Sequence, residues 1–150
     1  MDKPLKIWYC DVCGKPIKNV KQGYVIWKIT DGIKNKGFKI IHQAKCDLRD
    51  HDASKALDEF LGADGLTYLL AHFSRGPIKK NLGQDTSCDV ADIDEYVDFI
   101  RRVQTPYYEE ARRLFGKEDL LNQYSDANEI CPYLRKDLKG IILEYSEKTE

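Results

Sequence analysis

One hundred and fifty residues, 42% hydrophobic and 33% charged, make a chain of ordinary globular composition that can hold one domain or a small metal-stabilised module joined to a helical one. No apolar run reaches the roughly 18 residues of a membrane span, and the first four residues, Met-Asp-Lys-Pro, open no apolar signal core, so we expect a cytoplasmic protein with no membrane partner. The net charge of −1 argues against a uniformly basic nucleic-acid binder, but residues 1–46 carry ten lysines against three aspartates, a balance of +7 that leaves −8 for the remainder.

In chain order, residues 5–9 read as a short strand, and residues 24–30, rich in β-branched and aromatic side chains, as a longer one. Asp31 and Gly32 open a flexible turn lasting to Gly37, and residues 38–41 return as the partner strand of a β-hairpin with Val25, Trp27 and Ile29 on one face. After Cys46 the apolar period lengthens to that of helices. The pattern predicts a helix over 53–61 that buries Ala53, Ala56, Leu57, Phe60 and Leu61 and stops at Gly62. A second helix, over 64–73, is capped by Asp64 and striped by Leu66, Leu69, Leu70 and Phe73. Residues 75–88 read as a long loop. A helix over 90–103 is expected to bury Ile93, Val97 and Ile100, and Thr105 with Pro106 opens another lined by Tyr108, Ala111 and Phe115. Leu120, Leu121 and Tyr124 mark a short turn, and a helix over 132–145 closes the chain with Leu134, Leu138, Ile141 and Tyr145 in register. The predicted fold class is α+β. A zinc-bound β-hairpin module, residues 1–51, precedes a compact helical region, residues 52–150, and the two share one core.

Cys10 and Cys13 lie two residues apart, with Gly14 behind them free to take the positive φ that a tight knuckle needs. His42 and Cys46 follow the hairpin at a spacing that fits one helical turn. Three thiolates and one imidazole make a closed, tetrahedral, structural Zn²⁺ site that leaves no position for substrate. The alternative for Cys10 and Cys13 is a redox dithiol at a helix N-terminus, which Gly14 and Pro16 disfavour. His51 is the alternative fourth donor in place of Cys46, and Cys88 and Cys131 are expected to be ordinary buried residues.

At these residues the chain resembles treble-clef and zinc-ribbon zinc fingers over roughly residues 5–51: a Cys-x-x-Cys-Gly knuckle leads through a β-hairpin to a second ligand pair, here after 28 intervening residues. The resemblance implies structural zinc and surface binding, commonly to nucleic acid or protein.

The remaining features have simple structural readings. Residues 57–62 and 64–73 resemble a helix-turn-helix, but the second helix starts acidic and offers only Thr67, His72 and Arg75 as contacts, so a plain helical hairpin is expected. Asp92, Asp94, Glu95 and Asp98 read as a solvated helix face, with Asp98–Arg102 and Glu109–Arg113 as pairs four residues apart. Trp8, Tyr9, Tyr24, Trp27 and Phe38 either stack bases or form the core of the small module, and we expect Trp27 and Phe38 to pack inward. No catalytic residue is assigned, because no phosphate loop, nucleophile elbow or metalloprotease helix is present. The leading expectation is a non-enzymatic, regulatory nucleic-acid binder that uses Lys15, Lys18, Lys34, Lys36 and Lys39. Those lysines instead face the acidic half if the charge division is compensated internally. The alternatives are a protein-interaction adaptor or inhibitor acting through the helices, and a treble-clef nuclease, which needs a catalytic His and a second metal. The oligomeric state is not read from the sequence.

Overall fold

The computed structural model describes residues 5–146. Antiparallel strands come first and helices after them. Strands β1 (Trp8–Tyr9) and β2 (Pro16–Ile17) flank the knuckle and pair Trp8 with Ile17. A 3-10 turn over Val20–Gln22, begun by the Asn19 carboxamide accepting from the Lys21 N–H at 3.0 Å, feeds β3 (Gly23–Thr30). β4 (Lys34–His42) returns beside it, with Gly23 opposite His42 and Thr30 opposite Lys34. The expected hairpin is therefore present with a shorter turn, and its register breaks between Ile26 and Lys28.

Residues 53–61 do not form the expected helix. They make β5 (Ala53–Ala56), which pairs with the free edge of β3 to give the order β4-β3-β5, followed by a 3-10 turn over Leu57–Phe60. The deciding contacts come from Asp52: its N–H donates to Trp27 O at 3.0 Å and its carboxylate accepts from the Ile29 N–H at 2.9 Å. Two bonds to a distant strand edge outweigh a local helical pattern worth tenths of a kcal/mol per residue. Leu57 and Phe60 are buried all the same. The helical hairpin expected over 57–73 falls with the first helix, and the helix-turn-helix alternative falls with it.

Helix α1 (Gly62–Ala71) buries Leu69 and leaves Leu66 and Leu70 at the surface, and α2 (Gly76–Asn81) occupies part of the expected loop. Asp64 lies within the first turn of α1 rather than capping it. Helix α3 (Ile93–Gln104) is capped by the Asp92 carboxylate, which accepts from the Glu95 N–H at 3.2 Å. Its buried stripe is Tyr96, Phe99, Arg102 and Val103, whereas Ile93, expected inside, is 58% exposed. Thr105 closes α3 by donating its N–H to Arg101 O, and the chain turns at Tyr107 (φ 68°) before α4 (Tyr108–Arg112). Helices α5 (Glu118–Gln123) and α6 (Arg135–Tyr145) follow, and α6 buries the expected Leu138, Ile141 and Tyr145 but exposes Leu134.

Among the described residues the apolar interior forms two clusters, the first shared by the strands and the helices as expected and the second built from helices alone. The first joins Trp8, Trp27, Phe38, Ile40 and Ile41 of the strands to Phe60, Leu69, Tyr96 and Phe99; Phe38 stacks between Trp27 and Phe99, with ring centroids 5.2 and 5.0 Å away. The second gathers Tyr108, Ala111, Leu114, Leu120, Leu138 and Ile141 from α4, α5 and α6. The Trp8 indole N–H of the first cluster donates to Arg102 O at 2.9 Å. Among the described residues no helix is long and apolar enough to cross a membrane.

Candidate metal centre

The knuckle takes its shape from backbone hydrogen bonds. Cys10 N–H donates to Lys15 O at 3.0 Å and Gly14 N–H to Cys10 O at 2.9 Å, and this closure requires the positive φ of Gly14 (76°). The Val12 N–H points at Cys10 Sγ from 3.4 Å. On the other side, β4 ends at His42, and one turn later Cys46 donates its N–H to His42 O at 3.2 Å, the chain between them passing through a left-handed Ala44 (φ 63°).

These two turns meet. The donor atoms of Cys10, Cys13, His42 and Cys46 all lie within 4.8 Å of one another, an arrangement that can hold a metal ion. Cys13 Sγ and Cys46 Sγ stand 3.4 and 3.6 Å from His42 Nδ1. A tetrahedral ion with bonds of about 2.3 Å to sulfur and about 2.0 Å to nitrogen needs donor separations of about 3.5–3.8 Å, which these two sulfur–nitrogen distances match. His42 Nε2 lies 3.2 Å from Pro16 O. A proton on Nε2 donated to that carbonyl leaves the Nδ1 lone pair directed at the sulfurs, the outer-shell bond that fixes a ligating imidazole.

The thiols are poised unequally. Burial opposes ionisation of Cys10, but the backbone N–H groups of Cys13, His42 and Val12 hold its pKa down at about 6. Burial, reinforced by the Cys10 and Cys13 sulfurs beside it, pushes Cys46 up to about 11. Gathering thiolates side by side is unfavourable, and a divalent cation among them reverses that balance and releases protons. Cys10 and Cys46 are buried and Cys13 is exposed. His51 lies outside the group, with Nε2 3.1 Å from an Asp47 carboxylate oxygen, and Cys88 and Cys131 are not part of it either.

The knuckle is clamped to the helices by charged groups whose partners the sequence does not disclose. Arg102, 2% exposed, forks onto Glu109, also 2% exposed, with Nε–Oε1 and Nη2–Oε2 distances of 2.7 and 2.8 Å. Its Nη1 donates to Asp11 at 2.8 Å and its Nη2 to Tyr9 O at 3.2 Å. Tyr9 N–H donates to Glu109 at 3.0 Å, and the Asp11 carboxylate also accepts the Ile40 N–H at 2.8 Å. Burial disfavours the Arg102 charge, but Glu109 and Asp11 raise its pKa further above the ordinary guanidinium range. The expected pairs thus have other partners: Asp98 takes Arg112 at 2.8 Å, and Arg113 lies over the Tyr9 ring, 3.8 Å from its centroid. Glu95 is not on a solvated face, since its carboxylate accepts from the Gly37 and Phe38 N–H groups. The one available signal was that Arg102 falls on the same helical stripe as Tyr96 and Phe99.

Of the candidate phosphate contacts, Lys15, Lys18, Lys36 and Lys39 are exposed, whereas Lys34 is half-buried and donates to Cys88 O. Among the described residues, no lysine of residues 5–46 forms an ion pair with a carboxylate of residues 52–150; Lys28 pairs with Asp50 at 3.3 Å. Trp8, Trp27 and Phe38 are buried, Tyr24 donates its hydroxyl to Ser54 at 2.6 Å, and Tyr9 is covered by Arg113. These aromatic side chains are therefore engaged in packing within the chain. No family model, curated protein or solved structure matches the chain.

Proposed function

We propose that Cys10, Cys13, His42 and Cys46 hold a structural Zn²⁺ in a finger of the treble-clef or zinc-ribbon type, within a module of residues 1–51 carried by a helical region of residues 52–150, and that this module binds nucleic acid without catalysing a reaction. The donor chemistry supports zinc over harder cations, since three sulfurs and an imidazole disfavour Mg²⁺ and Ca²⁺. The observation that carries the binding reading is the exposure of Lys15, Lys18, Lys36 and Lys39, to which no carboxylate among the described residues is paired. A cationic surface left unpaired within its own chain attracts phosphates. With the large aromatic rings packed inside, the main contacts are ionic and fall on the phosphate backbone.

The test is an anisotropy titration of single- and double-stranded DNA and RNA at several salt concentrations, with zinc measured in the same samples. Log affinity falls with log salt, and the double variant Lys36→Glu, Lys39→Glu flattens that slope by about two units while retaining zinc. Absence of salt-sensitive binding to every probe rejects the nucleic-acid reading. A protein-interaction adaptor or inhibitor is the second reading, favoured by α2, which buries none of its residues and presents Ile78 beside Lys79 and Lys80, with Leu82 following.

A further inference from the structure

Beside the metal centre, on the face of the hairpin where its register breaks, lies a cleft of about 240 Å³ lined by Val12, Ile26, Lys28, Lys39, Leu48 and Asp50. We infer that this cleft holds one unpaired, amine-bearing base of a nucleic-acid strand, with the adjoining phosphate on Lys28 and Lys39; the inference rests on the nucleic-acid reading above and adds base discrimination to it.

Three features of the cleft specify the occupant. Its walls include apolar side chains that solvent reaches although the module around them is basic: Leu48 is 76% exposed and Val12 43% exposed. Ile26 supplies apolar floor at the break in register, where bulges re-aim side chains. A flat, weakly hydrated ring fits between such walls. The rim is cationic, with Lys28 and Lys39 both lining the cleft. Like charges gathered on one rim repel, and an anion between them relieves that repulsion. The third feature is Asp50. Its ion pair with Lys28 joins side chains that are 50% and 81% exposed, a pairing that contributes little and opens readily.

The Asp50 carboxylate separates the two chemistries that an apolar, cationic cleft attracts. An acidic peptide brings carboxylates toward Asp50 and toward a centre whose three thiolates exceed the +2 of a bound zinc, so the like charges oppose it. A cytosine brings an exocyclic N–H₂ donor that a carboxylate accepts, while thymine and uracil present carbonyl oxygens there. The cleft is accordingly expected to favour cytosine over thymine at equal strand charge.

The experiment compares oligo-dC with oligo-dT of one length on the zinc-loaded full chain, by anisotropy and by tryptophan fluorescence, because Trp27 lines the cleft whereas Trp8 is fully buried. Oligo-dC is expected to bind about tenfold tighter than oligo-dT, the scale of one hydrogen bond to a charged acceptor, and to change the fluorescence, while a blunt duplex does not. Asp50→Ala is expected to bring the dC/dT ratio close to one with zinc content unchanged, and Leu48→Gln to weaken both strands. Equal affinity for the two strands with a normal salt slope and unchanged fluorescence overturns the cleft and leaves backbone binding standing. Loss of salt-sensitive binding to every oligonucleotide removes both readings. An acidic, apolar peptide that alters the fluorescence while neither strand does so assigns the cleft to protein and overturns the inference.

Discussion

Cys13 is the exposed member of a metal group whose other two thiols are buried, and its Sγ lies 3.4 Å from the ring nitrogen of His42. Its replacement by serine removes a soft donor without opening a cavity, so the effect on stability reports the metal. Cys13→Ser and Cys46→Ser are both expected to lose zinc and to unfold at lower temperature, because metal-binding free energy in a small module is folding free energy. Cys88→Ser and Cys131→Ser are expected to keep it. Zinc per chain and a thermal melt on each purified variant check this, and metal loss in either of the latter two shows that the ligand set is wrong. Arg102 is the second decisive residue. Removing one member of a buried, bonded ion pair leaves the other charge uncompensated and costs about 3–5 kcal/mol. Arg102→Met strands Glu109 between the two cores, and a denaturant titration is expected to show a loss of that order; a loss below about 1 kcal/mol contradicts the burial and geometry described.

At the scale of elements, what the sequence discloses is what short spacing controls. The knuckle at Cys10 and Cys13, the strand through Trp27 and the last helix through Leu138, Ile141 and Tyr145 each follow a local pattern that agrees with its surroundings. β5 was not legible, because Ala53, Ala56, Leu57 and Phe60 satisfy a helical template while the deciding bonds run from Asp52 to Trp27 and Ile29. The Arg102–Glu109 pair was equally hidden, since it depends on the corner at Tyr107 that folds α4 back on α3. The junction between the 3-10 turn and α1 is also set by packing. A Cβ on Gly65 would stand 2.1 Å from the Phe60 carbonyl carbon, a backbone atom that cannot rotate away. Gly65→Ala, which raises helix propensity by about 1 kcal/mol in isolation, is therefore expected to destabilise the protein. A raised melting temperature contradicts that packing.

Across the whole molecule, a strand-built candidate metal centre and two apolar clusters meet at one buried polar junction, in which Asp11 and Tyr9 on the knuckle share Arg102 and Glu109 on the helices. The knuckle residues beside Cys10 thus form part of the packing of α3 and α4, which links the metal centre to the helical half through the backbone of residues 9–11. Separating the two sides of this junction leaves a buried charge without its partner. The account depends most directly on the ion itself. Elemental analysis of protein purified without chelator, set beside the Cys13→Ser, Cys46→Ser double variant, is expected to find about one zinc per chain in the native protein and none in the variant; absence of zinc from the native protein, or its retention by the variant, contradicts the account.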